Sequence, residues 1–154
     1  MPTPTPLLEE VANYLAIALP PATYGQQGLL LGVNMFLART PEEAPNACVT
    51  VGQYQGKAPA FTMGRSLVAL DYPRIQIAVR GEVEDYPGAW AWSQLIRQVL
   101  MGVVLPDATY FPRVARIESL GVPNPTGYDD VERPKFTANF QFHINANTDG
   151  TLMP

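Results

Sequence analysis

The sequence predicts an α+β domain: a mainly antiparallel five-stranded sheet with two helices packed on one face, in the order α-β-β-β-α-β-β. Three observations predict it. In residues 73–81 (PRIQIAVRG), Ile75, Ile77 and Val79 face one side while Arg74, Gln76, Ala78 and Arg80 face the other, the two-residue period of a half-buried strand. In residues 135–146 (KFTANFQFHINA), Phe136, Ala138, Phe140, Phe142 and Ile144 alternate with Thr137, Asn139, Gln141 and His143 in the same way. Between these strands, Trp92, Leu95, Ile96, Val99, Leu100 and Val103 recur at helical spacing and form one apolar stripe. Two strands with one apolar face each need a cover, and the stripe supplies it.

Taken in order, residues 1–5 (MPTPT) read as an extended arm, because alternating proline forbids helix. Pro6 opens a first helix that runs to about Leu19, with Thr5 as its expected N-cap and Glu9 and Glu10 near the positive end of its dipole. Its apolar stripe is Leu7, Leu8, Val11, Leu15, Ala18 and Leu19. After a polar loop, residues 29–38 alternate with apolar side chains on both faces, so this strand is expected to be central or to face a partner. Residues 41–46 form a turn, and residues 47–54 (ACVTVGQY) a second strand, expected to be hairpin-paired with the first.

Residues 55–72 are the least regular stretch, punctuated by Gly56, Pro59 and Gly64 yet holding Phe61, Met63, Leu67, Val68 and Leu70. Long structureless loops are uncommon in compact domains, so this segment is expected to be a contact arm. The strand at 73–81 follows, and the second helix begins with Asp85 as N-cap and Pro87 in its first turn, ending near Gly102. A strand at 113–120 (RVARIESL), a turn-rich connection at 121–134 and the last strand complete the chain, with a polar tail from Asn147.

The whole, 1–154, is expected to be one domain with flexible termini, long enough for a core without disulfides. The single cysteine, Cys48, rules out an intramolecular bridge, and neither a signal segment nor a long apolar span is present, so a soluble, cytoplasm-assembled protein is expected. A net charge of −4 without a basic cluster argues against sequence-specific nucleic-acid binding. Charged residues make up only 16% of the chain, against about a quarter usually, which favours surface buried against other subunits.

Catalytic chemistry has little to draw on. His143 points away from the core on the last strand with no acid or nucleophile near it in sequence, and reads as a solvated strand residue. Cys48 lies among Val49 and Val51 with nothing basic beside it, and reads as a small buried or interface residue. One His and one Cys cannot supply a soft metal site, and Glu82, Glu84 and Asp85 crowd a turn without a calcium-loop spacing. Asp129, Asp130 and Glu132 fit either a solvated loop or an acidic loop facing a basic partner. No phosphate loop, dinucleotide fingerprint or nucleophile elbow occurs. Trp90 falls opposite the Trp92 stripe, and an exposed helix tryptophan points to an interface.

The order and spacing of several segments resemble the tailed-phage minor capsid or tail terminator proteins, also called tail-completion or head-tail joining proteins. The segments are the N-terminal amphipathic helix, PEEAPNACVTV at 41–51, YPRIQIAVRG at 72–81, DYPGAWAWSQLI at 85–96 and GYDDVERPKFTANFQF at 127–142. The resemblance runs from about Leu7 to Ile144; the apolar richness of residues 55–72 departs from it. It implies a structural virion protein of the tail or neck, with no catalysis and no cofactor. Such a protein forms a homo-oligomeric ring, a hexamer, at the head-proximal end of the tail tube, stops tube polymerisation and joins the head-tail connector or neck protein. DNA passes through the ring without being read.

The expected interface residues are Leu30 and Phe36 on the first strand, Phe61, Met63, Arg65 and Leu67 on the arm, Arg74 and Arg80 on the organising strand, and Trp90. A second expectation is a small α+β ligand-binding domain or enzyme with a pocket under the 55–72 arm, where Arg65, Arg74 or Arg80 holds an anion.

Overall fold

The structure, a computed structural model, describes residues 6–19, 28–61, 68–101 and 111–145. Two helices and six strands follow in the order α1 (Leu7–Ala18), β1 (Met35–Leu37), β2 (Cys48–Phe61), β3 (Val68–Arg80), α2 (Tyr86–Met101), β4 (Val114–Ser119), β5 (Asn124–Tyr128) and β6 (Pro134–Asn145). The domain is α+β, as the periodicities require; the sheet is six-stranded rather than five-stranded, and it is mixed because β1 runs parallel to β2 while its other pairs are antiparallel. Its order is β1-β2-β3-β6-β4, with β5 beside β4 on the same edge of β6.

The central ladder follows directly from the alternation. Val49 and Val51 of β2, Ile75, Ile77 and Val79 of β3, and Phe136, Ala138, Phe140 and Phe142 of β6 are buried on one face. Leu7, Val11, Ala12 and Leu15 of α1 and Ala89, Trp92, Ile96 and Leu100 of α2 join them in a single core. The other face carries Thr50, Gln76, Arg74, Asn139, Gln141 and His143, with no helix over it among the described residues.

Three expectations fail here, each for a local reason. The first strand shrinks from residues 29–38 to Met35–Leu37 and runs parallel to β2, pairing Met35 with Val49 and Leu37 with Val51 instead of forming a hairpin. Asn34 causes the shortening: its buried side chain accepts the Leu30 N–H and donates to the Gly28 carbonyl, an Asx-type bond that competes with a ladder. Gly32, at φ +84°, completes that turn, and Ala38, at φ +67°, ends the strand.

The second is the irregularity expected of 55–72. Its described residues, 55–61 and 68–72, continue the β2–β3 ladder, with Lys57 opposite Tyr72, Ala60 opposite Leu70 and Phe61 opposite Val68. Register shifts on both sides of Lys57 and after Ala60 disguise the pattern in sequence. Because β1 covers β2 only as far as Val51, β2 continues for ten residues with that edge unpaired among the described residues. The third is β5, which lies within the presumed connection at 121–134. All five of its residues are exposed, so it carries no alternation, and Pro125 and Gly127 are tolerated because it is an edge strand with a bulge.

The helix ends agree better. Asp85 accepts the Gly88 N–H at 3.1 Å through its side chain, as an N-cap should, while Pro6 occupies the cap position of α1 without a side-chain bond. Thr5, Gly102 and Val103 lie outside the described residues. Gly81 lets α2 start directly against β3. A Cβ there would sit 2.8 Å from the Ala89 Cβ and 3.1 Å from the Asp85 carbonyl oxygen. Gly81→Ala is therefore expected to destabilise the fold by about 1–3 kcal/mol in urea unfolding, through overpacking.

Candidate functional site

The expected interface residues whose side chains are described, Leu30, Phe36, Arg74, Arg80 and Trp90, lie on different elements. Leu30 is 48% exposed but sits in the Asn34 turn, off the strand, whereas Phe36 is half-buried in β1, opposite Thr50. Phe61 ends β2, and its side chain lies outside the described residues, as do Met63, Arg65 and Leu67 altogether. Arg74 and Arg80 share the helix-free face of β3 but stand six residues apart, roughly 20 Å along the strand, so they cannot hold one small anion together.

Arg80 has an internal task. Its Nε and Nη2 groups donate to the carbonyls of Asn46 and Pro45, both at 2.9 Å, pinning the segment that returns the chain from β1 to β2. Arg74 donates to Gln141 Oε1 at 3.4 Å across the ladder, a long bond.

Trp90 is the clearest surface feature. It is 50% exposed on α2 while Trp92 and Ile96 of the same helix are buried, so the two tryptophans lie on opposite sides as the spacing predicts. Tyr86, four residues earlier on the same helix face, is also exposed, and its ring packs at 5.0 Å centroid distance against buried Phe136. Val83 and Val131 expose further apolar surface in the adjoining turns. These turns are tied together: the Glu84 N–H donates to the Glu132 carbonyl at 2.8 Å and the Gly81 N–H to that of Pro134 at 2.9 Å.

The adjoining turns carry carboxylates. Glu82, Glu84, Asp85, Asp130 and Glu132 are all exposed. Asp129 belongs to the frame instead. Burial pushes its carboxyl up, but bonds from the Arg133 backbone and guanidinium and from the Val131 N–H outweigh that and hold it below the ordinary carboxylate range. Its ion pair with Arg133 is 2.7 Å long. Of the two readings for this loop, Asp129 fits neither; Asp130 and Glu132 face solvent.

A cavity of about 370 Å³ opens on the helix-free face at the Arg80 end of the sheet. Thr40, Thr50, Thr126, Thr137, Arg80 and Lys135 line it, and the two hydroxyls of Thr40 and Thr50 bond each other at 2.5 Å. Cys48 borders it as a buried free thiol. Burial raises its pKa more than Arg80 and Arg133 lower it, so the thiol stays protonated at neutral pH. Sequence neighbours gave no hint of these two cations, since cross-strand register and the β5–β6 turn bring them in.

His143 has partners that local sequence hides. It is half-buried, 3.3 Å from Glu118 Oε2 on β4 and edge-on to the Tyr72 ring. No group of three or more His, Cys, Asp or Glu suited to a metal ion occurs among the described residues. No described helix is long and apolar enough to cross a membrane. No protein-family model matches the chain, and no curated protein matches it either.

Proposed function

We propose that this chain is a structural assembly protein, a phage tail terminator whose copies form a ring at the head-proximal end of the tail tube. The ring, read as a hexamer, stops tube polymerisation and joins the tube to the head connector or neck protein while DNA passes through unread. The chain catalyses nothing in this reading and needs no cofactor. The observation that carries the assembly part is the exposed side of α2, where Trp90 and Tyr86 stand in solvent on a helix whose other side is locked into the core. The place at the tail end rests on the resemblance of segment order and spacing from Leu7 to Ile144.

The purified protein is expected to sediment as a ring, alone or once tail tubes are added, and to block further growth of purified tubes. Trp90→Ala should abolish that block while leaving the unfolding midpoint of the isolated chain nearly unchanged. A monomer that leaves tube growth unaffected overturns the reading.

The cavity beside Cys48 favours a second reading, a small-anion site built from threonine hydroxyls and Lys135. Arg80 would border it without free reach, and Arg74 would take no part. Phosphate raising the thermal midpoint of the wild type but not of Lys135→Ala, with assembly intact in both, would favour this reading over the first.

A further inference from the structure

The sequence holds no basic cluster, but the register of the sheet builds one. On the helix-free face, Arg80 of β3 stands opposite Lys135 of β6, Arg74 opposite Gln141, and Arg116 of β4 opposite His143. Between them lie uncharged polar side chains, Thr50, Gln76, Thr137 and Asn139. Among the described residues, Glu118 is the one carboxylate that strand register sets on this face, and it lies 3.3 Å from His143. Asp129 borders the face but is paired with Arg133 at 2.7 Å, and Glu42 and Glu43 lie past Thr40 at the β1 edge. In a chain of net charge −4, the carboxylates of Glu9, Glu82, Glu84, Asp85, Asp130 and Glu132 belong to helices and turns instead.

The cations are spread out. Lys135 and His143, the partner of Arg116, stand eight residues apart on β6, roughly 27 Å. No small anion spans that distance, but a repeating one does: one strand of a DNA duplex carries a phosphate about every 3.4 Å along its axis, about eight over this length. Lys135 and Arg116 are exposed and enter no ion pair among the described residues.

The composition of the face selects the kind of partner. Arg, Lys, Thr, Asn and Gln are the side chains that bond phosphate oxygens, whereas a protein interface is built round apolar anchors. The exposed large apolar side chains lie mainly elsewhere, as with Trp90 and Tyr86 on α2; Tyr54 on β2 and Leu120 just past β4 flank the face. Single strands are gripped by stacking on exposed aromatic rings, but the Tyr72 ring meets His143 edge-on at 5.0 Å. No described helix rises from the face to enter a groove, so base edges and the groove hydroxyls that mark RNA stay out of reach.

We propose that the helix-free face is a docking surface for duplex DNA, held through its phosphates without regard to sequence, with Lys135, Arg74 and Arg116 as the contacts. Arg80, whose Nε and Nη2 are occupied by the Asn46 and Pro45 carbonyls, adds charge rather than a contact. The surface goes beyond the tail-terminator reading, since a single copy carries it whole. Carboxylates on the helix side of the sheet are screened over a Debye length of about 10 Å, so the net negative charge does not prevent binding.

Fluorescence anisotropy of short labelled DNA duplexes of two unrelated sequences tests this on the full chain. Both are expected to bind alike, with a Kd of about 1–100 μM near physiological salt. Three phosphate contacts give a log–log salt slope of about −2.7, about a fortyfold loss of affinity between 50 and 200 mM salt. Lys135→Ala and Arg116→Ala should each reduce the steepness of that slope by about 1, with thermal unfolding checking that each variant folds. Glu118→Gln should tighten binding about threefold, a gain that misfolding does not mimic. Glu9→Gln removes the same charge from α1, across the sheet, and should leave the affinity nearly unchanged.

No binding at 50 mM salt, which would leave the face to an acidic protein, overturns the proposal. So does a slope that neither alanine variant changes, equal tightening by Glu9→Gln and Glu118→Gln, or tighter binding of a duplex RNA of the same sequence. DNA binding by a chain that leaves tube growth unaffected keeps this face and removes the terminator reading. Tube capping by a chain that binds no DNA does the reverse.

Discussion

Replacing Ile96 with alanine is expected to lower the unfolding free energy of the isolated chain by about 2–5 kcal/mol, measured by urea titration of circular dichroism. Ile96 is 1% exposed at the middle of the α2 stripe, in the one core that joins both helices to β2, β3 and β6. The alanine removes three carbons from a site walled by sheet on one side and helix on the other, so a cavity remains and its cost adds to the lost transfer energy. Ile96 and Trp90 sit on the same helix but face opposite ways, which makes their variants a matched pair. Trp90→Ala should change stability by less than about 0.5 kcal/mol, as an exposed substitution does. Equal loss of stability in both would mean that the helix faces have been assigned the wrong way round.

The second large effect concerns Glu10. It lies on the core side of α1, 4% exposed, 4.0 Å from the Arg113 guanidinium, and its Oε2 has no hydrogen-bond partner. Burial pushes its carboxyl above the ordinary value more strongly than Arg113 pulls it down. The folded chain therefore takes up the proton at higher pH than the unfolded chain does. Stability is fully present below the unfolded value near 4.5 and is lost as pH rises through the raised folded value. Asp129 acts in the opposite sense: its contribution is present above 3.8 and lost as pH falls through its lowered folded value. Mildly acid solution should therefore be the most stabilising. Glu10→Gln keeps the shape and removes the charge, and it should gain about 1–3 kcal/mol at neutral pH. The rise of wild-type stability on mild acidification should disappear in this variant. Arg113, about one-third exposed, remains able to reach water.

Elements whose side chains alternate between core and solvent were legible in sequence. The phenylalanine strand β6 and the stripe of α2 appear within one or two residues of their expected bounds, and the strand holding Ile75, Ile77 and Val79 ends within one residue of its expected end but begins five residues earlier, at Val68, because burial on one face imposes the period being read only where that face is regular. Elements without a buried face were not. β5 is exposed throughout, and the outer half of the β2–β3 hairpin hides behind bulges and Pro59. The shortening of the first strand needed one side chain, Asn34, whose bonds to Gly28 and Leu30 have no periodic signature. Of the surface residues, Trp90 was legible from its helical angle alone. The partners of Arg80, Cys48 and His143 come from register and from turns, and local sequence is silent on those.

The bulges and the proline of β2 also bear on how chains avoid joining through their backbones. A bare strand edge of ten residues invites any other chain to add itself as a further strand, and such growth has no natural stopping point. In β2 the ladder with β3 breaks at three places, and Pro59 removes a backbone donor. Chains held at high concentration can then remain unjoined through their backbones, which leaves any contact between chains to side chains, and those can be satisfied and then exhausted.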